Sequence, residues 1–328
     1  MLRTRKLVPA IAAVGCAAAV AVGGAAVLHP RGLPPAASAA SVTSTHVAAA
    51  TAGQPGAAAF SETSQSSQRR SQRAAVARNA KKGVGVWAFR GVRKALTKSG
   101  ASWYYTWSAG HPGISSPPGA QFVPMIWGAG SVTSATLRQV RRDGHYLLGF
   151  NEPDNSGQSN MTVSQALHLW PRLMATGMKL GSPAVATGAA TAGGWLDRFM
   201  RGAAARHYRV NFITVHWYGG DFATGPAVRQ LRAYLSAIYA RYHRPIWLTE
   251  FALIRFGATV SFPTASKQAA FVTAATSMLE KLRFVQRYAW FALPATPGDG
   301  TTGLFRSGAA ATAAGRAFEV VDSSHRTG

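Results

Sequence analysis

Eight short β-rich runs, separated by stretches of helical periodicity, restrict the fold more than any other feature of this chain. The runs are Val84 to Phe89, Trp103 to Trp107, Phe122 to Trp127, Tyr146 to Phe150, Met178 to Ser182, Phe212 to His216, Ile246 to Thr249 and Tyr288 to Phe291. Most are apolar on both faces, the pattern of parallel strands covered by helices. Between them, Thr162-Val163-Ser164-Gln165 has the form of a capping box, with a hydroxyl at the cap and an amide three residues on. Val163, Leu167, Trp170 and Met174 follow at helical spacing, and Gly177 closes the segment. Pro226 opens a second helix, where its missing N–H costs little. Val228, Leu231, Leu235, Ile238 and Tyr242 line one side of that helix. Residues 266 to 283 form a third, aligned on Phe271, Ala275, Met278 and Leu282. Strand and helix alternating eight times over about 240 residues predict one α/β domain, a single (β/α)8 TIM barrel. A doubly wound open sheet is the alternative, and it would place a Gly-rich phosphate turn after the first strand. In "GVGVWAFRGV" the glycines fall before and within the strand, so no such turn opens a helix.

The barrel is assigned residues 82–321, followed by a tail, 322–328. Ahead of it, Met1 to Lys6 is basic, Leu7 to Leu28 carries no charge, and Ala37-Ser38-Ala39 supplies a cleavage site. Residues 1–39 therefore read as a secretory signal peptide, and the protein as secreted. An apolar run of 22 residues is also long enough for an uncleaved anchor, but its Ala and Gly content favours cleavage. The only cysteine, Cys16, lies in that run, so the mature chain has no disulfide, thiol nucleophile or Cys-based zinc site. Residues 40–81 are Ala, Ser, Thr, Gln and Arg without apolar periodicity. They read as a disordered linker whose basic cluster is Arg69, Arg70, Arg73, Arg78, Lys81 and Lys82.

The chain has 35 Lys plus Arg against 11 Asp plus Glu. Such an excess raises nucleic acid as a partner. The cations are spread along helices (Arg138, Arg141, Arg142; Arg198, Arg201; Arg229, Arg232) without a nucleic-acid motif, which excludes that class in favour of attraction to an anionic wall or polymer.

Against this scarcity of acids, two of the five glutamates end apolar runs: Glu152 in "LLGFNEPD" and Glu250 in "IWLTEF". In a barrel the strand ends form the active face. Strands four and seven lie on opposite sides of its mouth, so these carboxyls face one another across a pocket. Glycoside hydrolysis needs such a pair: one protonated, to serve the leaving oxygen, and one ionised, at the anomeric carbon. Aromatic residues at other strand ends fit a sugar groove: Trp87, Trp107 and Trp127 close the first three runs, His216, Trp217 and Tyr218 the sixth, and Trp290 the eighth. His216 lacks the spacing of a metal motif and reads as a polar partner of Glu250. "DNSGQSN" after Glu152 lacks the register of a calcium loop, and there is no G-x-S-x-G elbow. No metal or cofactor is implied.

"GFNEPD", "VHWYGG" and "WLTEF", in this order and spacing, resemble glycoside hydrolase family 128, a clan A family of β-1,3-glucanases, over roughly residues 83 to 320. The resemblance implies hydrolysis of β-1,3-glucan, as oligo- or polysaccharide, with retention by double displacement. It implies Glu152 as acid/base and Glu250 as nucleophile, Asn151 on the substrate 2-hydroxyl, Tyr218 or His216 on Glu250, and Trp290 under the central subsite. Another β-glycan on the same fold, and a catalytically inactive glycan-binding protein, are the alternatives. A monomer without a stable membrane partner is expected if the signal is cleaved.

Overall fold

A computed structural model describes residues 80–295 and 301–322 of the chain. The expected signal peptide, the linker up to residue 79 and the tail past residue 322 lie outside the described residues. Eight parallel strands are β1 (Lys82–Gly85), β2 (Trp103–Tyr105), β3 (Gln121–Phe122), β4 (Tyr146–Leu147), β5 (Lys179–Leu180), β6 (Ile213–Gly219), β7 (Ile246–Leu253) and β8 (Val285–Trp290). The helices are α1 (Val92–Ser99), α2 (Ser134–Asp143), α3 (Val163–Met174), α4 (Trp195–Ala205), α5 (Thr224–Tyr242), α6 (Ala265–Lys281) and α7 (Ala313–Glu319). A short antiparallel pair, β9 (Phe305–Arg306) and β10 (Ala310–Ala311), precedes α7.

Six strands form one sheet in the order β3-β2-β1-β8-β7-β6, and β4-β5 form another. Two parallel bridges, Met125 to Leu148 and Gly181 to Phe212, join the two into a closed ring. The expected barrel is therefore present. One expectation fails: the β2–β3 connection has no helix, so strand and helix do not alternate eight times. That connection reads Gly110-His111-Pro112-Gly113 and then Pro117-Pro118-Gly119, and such residues cannot sustain helical hydrogen bonding.

Helix signals in the sequence correspond to real ends. Thr162 caps α3 by accepting from the Gln165 N–H at 3.1 Å, while the Gln165 side chain accepts from the Thr162 N–H at 2.8 Å. Leu231, Leu235 and Ile238 of α5 are buried, as are Phe271 and Ala275 of α6. Lys81 and Lys82, counted with the linker cluster, belong to the barrel instead. The Lys82 ammonium lies 4.6 Å above the Phe318 ring, and Lys81 Nζ donates to the carbonyls of Leu279, Glu280 and Leu282 at the end of α6. That placement suits the partial negative charge of a helix C-terminus.

Two apolar layers follow from strand alternation. Inside the ring, Trp103, Tyr105, Val123, Met125, Leu148, Phe212, Trp247 and Ala289 fill the barrel. Outside it, Tyr104, Leu180, Val215, Leu248, Phe251, Tyr288 and Trp290 meet the helices. The inner layer is held together by aromatic contacts, among them Phe212 stacked on Trp247 with ring centres 4.1 Å apart.

The close approach of the chain after β4 to the chain after β5 depends on Gly149. A Cβ there would stand 2.8 Å from the Ser182 carbonyl oxygen and 2.9 Å from that of Gly181, both fixed backbone atoms. Gly149→Ala is expected to lower stability by about 1–3 kcal/mol, the cost of overpacking, read as a reduced urea midpoint. An unchanged midpoint would mean that the two strands separate without cost.

Candidate active site

Glu250 lies within β7, which runs on to Leu253 past the expected end at Thr249. Strict alternation would put Glu250 on the opposite face from Trp247, toward the helices. The β6–β7 register prevents this: Val215 pairs with Leu248, His216 pairs with Glu250, and Thr249 is one residue too many. This bulge re-aims the carboxylate into the barrel mouth and returns Phe251 to the outer layer. Three donors hold it there. Tyr105 Oη donates to Oε1 at 3.1 Å, Trp107 Nε1 donates to the same oxygen at 2.7 Å, and Tyr218 Oη donates to Oε2.

Glu152 follows β4 with φ 41°, a left-handed backbone rare outside glycine. Its N–H donates to the Ala184 carbonyl at 2.7 Å, which ties the strained residue to the chain beyond β5. Trp107, with φ 55°, shares this conformation. Two of the site's side chains are thus aimed by backbone that costs of order 1–3 kcal/mol each.

His216 joins the two carboxylates. Its Nδ1 lies 2.8 Å from Glu152 Oε1 and its Nε2 lies 3.4 Å from Glu250 Oε1. Glu152, His216 and Glu250 are 2%, 1% and 5% exposed. One oxygen or nitrogen from each lies within 4.8 Å of the others, close enough for a metal trio. An imidazole hydrogen-bonded to Glu152, with Nε2 at ion-pair distance from Glu250 but without a hydrogen bond of its own, accounts for this grouping; the hydrogen-bond partner of His216 is Glu152 rather than the expected Glu250. Burial disfavours the imidazolium, but the charge of Glu250 and the hydrogen bond to Glu152 outweigh it and raise the His216 pKa. Burial, reinforced by the Glu250 charge, pushes the Tyr105 and Tyr218 hydroxyls well above their ordinary range, so both remain donors.

The loop after Glu152 carries amides to both members of the Asn-Glu pair. Asn151 Nδ2 donates to Gln158 Oε1 at 3.1 Å, and Asn155 Nδ2 donates to Glu152 Oε2 at 3.2 Å. Asn151 Oδ1, next in sequence to Glu152, is a buried acceptor without a hydrogen-bond partner.

The expected residues divide. Asn151, Glu152, His216, Tyr218, Trp107 and Glu250 come together. Trp87 stands beside Trp107, ring centres 6.2 Å apart, and Trp127 is half-buried against the inner layer, its carbonyl accepting from the Asn151 N–H. Trp290 does not face the pocket: it is fully buried in the outer layer, 5.0 Å from the Phe251 ring, with Nε1 donating to the Thr302 carbonyl. Its neighbour Phe291 reaches inward instead, edge-on to Trp107 and Tyr218 at 5.7 and 5.6 Å. Trp217 likewise turns outward and stacks on Phe271. Tyr105, Phe291, Asn155 and Gln158 were not anticipated. Only Tyr105 had a signal, since it lies two residues before Trp107 and shares its face.

The folded-state pKa of His216 lies above 6.5, so its contribution to stability is complete below about pH 6.5 and is lost as pH rises through the folded value. An NMR titration of the His216 ring is expected to show a midpoint above 6.5, lowered in Glu250→Gln. A midpoint below 6.5 in the parent protein would mean that burial dominates.

The glycosyl hydrolase catalytic core family matches residues 86–318. Among solved structures, a glycoside hydrolase family 128 (subgroup I) endo-β-1,3-glucanase from Amycolatopsis mediterranei, in complex with laminaritriose, is 55% identical with a TM-score of 0.71. That match covers 74% of this chain and 100% of the other. A family 128 (subgroup III) curdlan-specific exo-β-1,3-glucanase from Blastomyces gilchristii is 27% identical with a TM-score of 0.59, covering 73% and 97%. Alkali-sensitive linkage protein 1 of Schizosaccharomyces pombe is 34% identical over 208 residues, 61% of this chain, and the matched region spans only 36% of that protein. Barrel, buried carboxylate pair and these matches agree: the chain is a glycoside hydrolase and belongs to family 128.

Proposed function

We propose that the protein is an exported, retaining β-1,3-glucanase that cuts within the glucan chain. The observation that carries this reading is the pair of buried carboxylates, Glu152 and Glu250, with an oxygen of each within 4.8 Å of the other. A retaining pair is about 5–5.5 Å apart, whereas an inverting pair stands 6.5–9.5 Å apart to admit water. Glu250, an acceptor held by three donors, suits the ionised nucleophile. In the first step it bonds to the anomeric carbon while the bond to the leaving oxygen breaks, and Glu152 gives that oxygen its proton. In the second step water bonds to the same carbon, the bond to Glu250 breaks, and the water's proton passes to Glu152. Asn151 Oδ1 accepts from the substrate 2-hydroxyl, and the rings of Trp87, Trp107 and Phe291 meet the apolar faces of the sugars.

The substrate class is supported by the Amycolatopsis enzyme. It was crystallised with laminari-oligosaccharides in two forms that each lack a different glutamate, and those two are one residue closer in sequence than Glu152 and Glu250. Export rests on the signal-peptide pattern of residues 1–39. N-terminal sequencing of secreted protein is expected to begin near Ala40. A start at Met1 in the membrane fraction would mean an anchor.

On a panel of laminarin, curdlan, mixed-linkage glucan, xylan and cellulose, cleavage of the β-1,3-glucans is expected, with fresh reducing ends appearing as the β-anomer by NMR. Glu152→Gln and Glu250→Gln should each fold and lose roughly 10³-fold or more in laminarin turnover. Release from xylan or cellulose alone would overturn the substrate, an initial α-anomer would overturn retention, and binding without cleavage would mean a glycan-binding protein.

A further inference from the structure

We infer that Asn155 is a positioning residue for the proton donor Glu152, aiming the oxygen that serves the leaving group; this rests on the acid/base reading of Glu152. The loop "DNSGQSN" lacks a calcium register, and its geometry serves another end. The Asn155 N–H donates to the Glu152 carbonyl at 3.0 Å, and the Gln158 N–H donates to the Asn155 carbonyl at 3.0 Å, so two successive turns fold the loop back over the carboxyl. Asp154 clamps it from outside by accepting from the N–H groups of Ala186 and Thr187 at 2.8 and 3.2 Å.

The orientation of the Asn155 amide is not free. The Gly157 N–H, a donor only, meets Asn155 Oδ1 at 3.0 Å, so the oxygen must lie on that side and Nδ2 on the side of Glu152. Nδ2 then donates to Glu152 Oε2 at 3.2 Å, while His216 Nδ1 engages Oε1. With Oε1 turned into the barrel toward His216, Oε2 is the oxygen on the loop side. A donor there fixes the rotation of the carboxyl plane and so the direction from which Oε2 meets the glycosidic oxygen. It also favours the carboxylate that forms once the proton has left. A turn-forming asparagine with no further role would need only its Oδ1.

The test compares laminarin with 2,4-dinitrophenyl β-laminaribioside, whose leaving group departs without a proton. Asn155→Ala is expected to lower kcat/KM on laminarin about tenfold, part of the 10²–10⁴ that acid catalysis supplies, with a much smaller loss on the aryl glycoside. Asn155→Asp keeps the Gly157 contact but sets a second negative charge beside Glu152. It should move the alkaline limb of the pH profile on laminarin to higher pH. Equal losses on both substrates, or an unmoved limb in Asn155→Asp, would overturn the positioning role. Glu152→Gln on the same two substrates separates the premises. A loss confined to laminarin leaves the acid in place and the Asn155 result decisive. Equal losses remove the acid assignment and the inference with it.

Discussion

The site depends on one electrostatic problem: two carboxylates, almost without solvent, held within 4.8 Å of one another. At that distance, and with an effective dielectric of about 20, their repulsion as two anions is roughly 3 kcal/mol. The barrel offsets it with His216, which touches both, and with Tyr105, Trp107 and Tyr218 around Glu250. His216 carries most of this burden, because it alone can bring a full positive charge. Removing a partner from such a group leaves buried charge exposed to its like, which costs more than any one hydrogen bond contributes.

Delivering six side chains to one point from four strand ends requires departures from regular structure. The bulge at Thr249 turns Glu250 inward, and left-handed backbone at Glu152 and Trp107 turns two more. Gly85 leaves room for the Trp107 ring, which would stand 2.5 Å from any Cβ placed there. An aromatic interior, with Trp247 in ring contact with both Trp103 and Phe212, supplies the platform against which these local costs are borne.

The barrel was legible because its signals are regular: apolar runs and helical stripes recur along the chain, and one capping box marks the start of α3. The paired glutamates were legible because both end such runs in a chain poor in acids. The β2–β3 connection was misread because the count of helices was inferred from the count of strands, although its prolines and glycines were in view. Trp290 was misassigned for a geometric reason. Adjacent strand residues face opposite sides, and with Ala289 inward, Trp290 belongs to the helix layer. The bulge, the left-handed residues and the amide of Asn155 left no trace in composition or spacing, since each is a matter of tertiary register.

The roles of the two glutamates meet in a single covalent species. A 2-deoxy-2-fluoro β-laminaribiosyl fluoride, which forms the glycosyl-enzyme faster than water releases it, should add one glycosyl mass per chain and inactivate the protein. Peptide mapping by mass spectrometry should place that mass on Glu250, with His216 and Glu152 unmodified. A label on Glu152, or slow turnover of the fluoride to an α-product with no labelled protein, would contradict the double displacement and the division of labour between the two carboxylates.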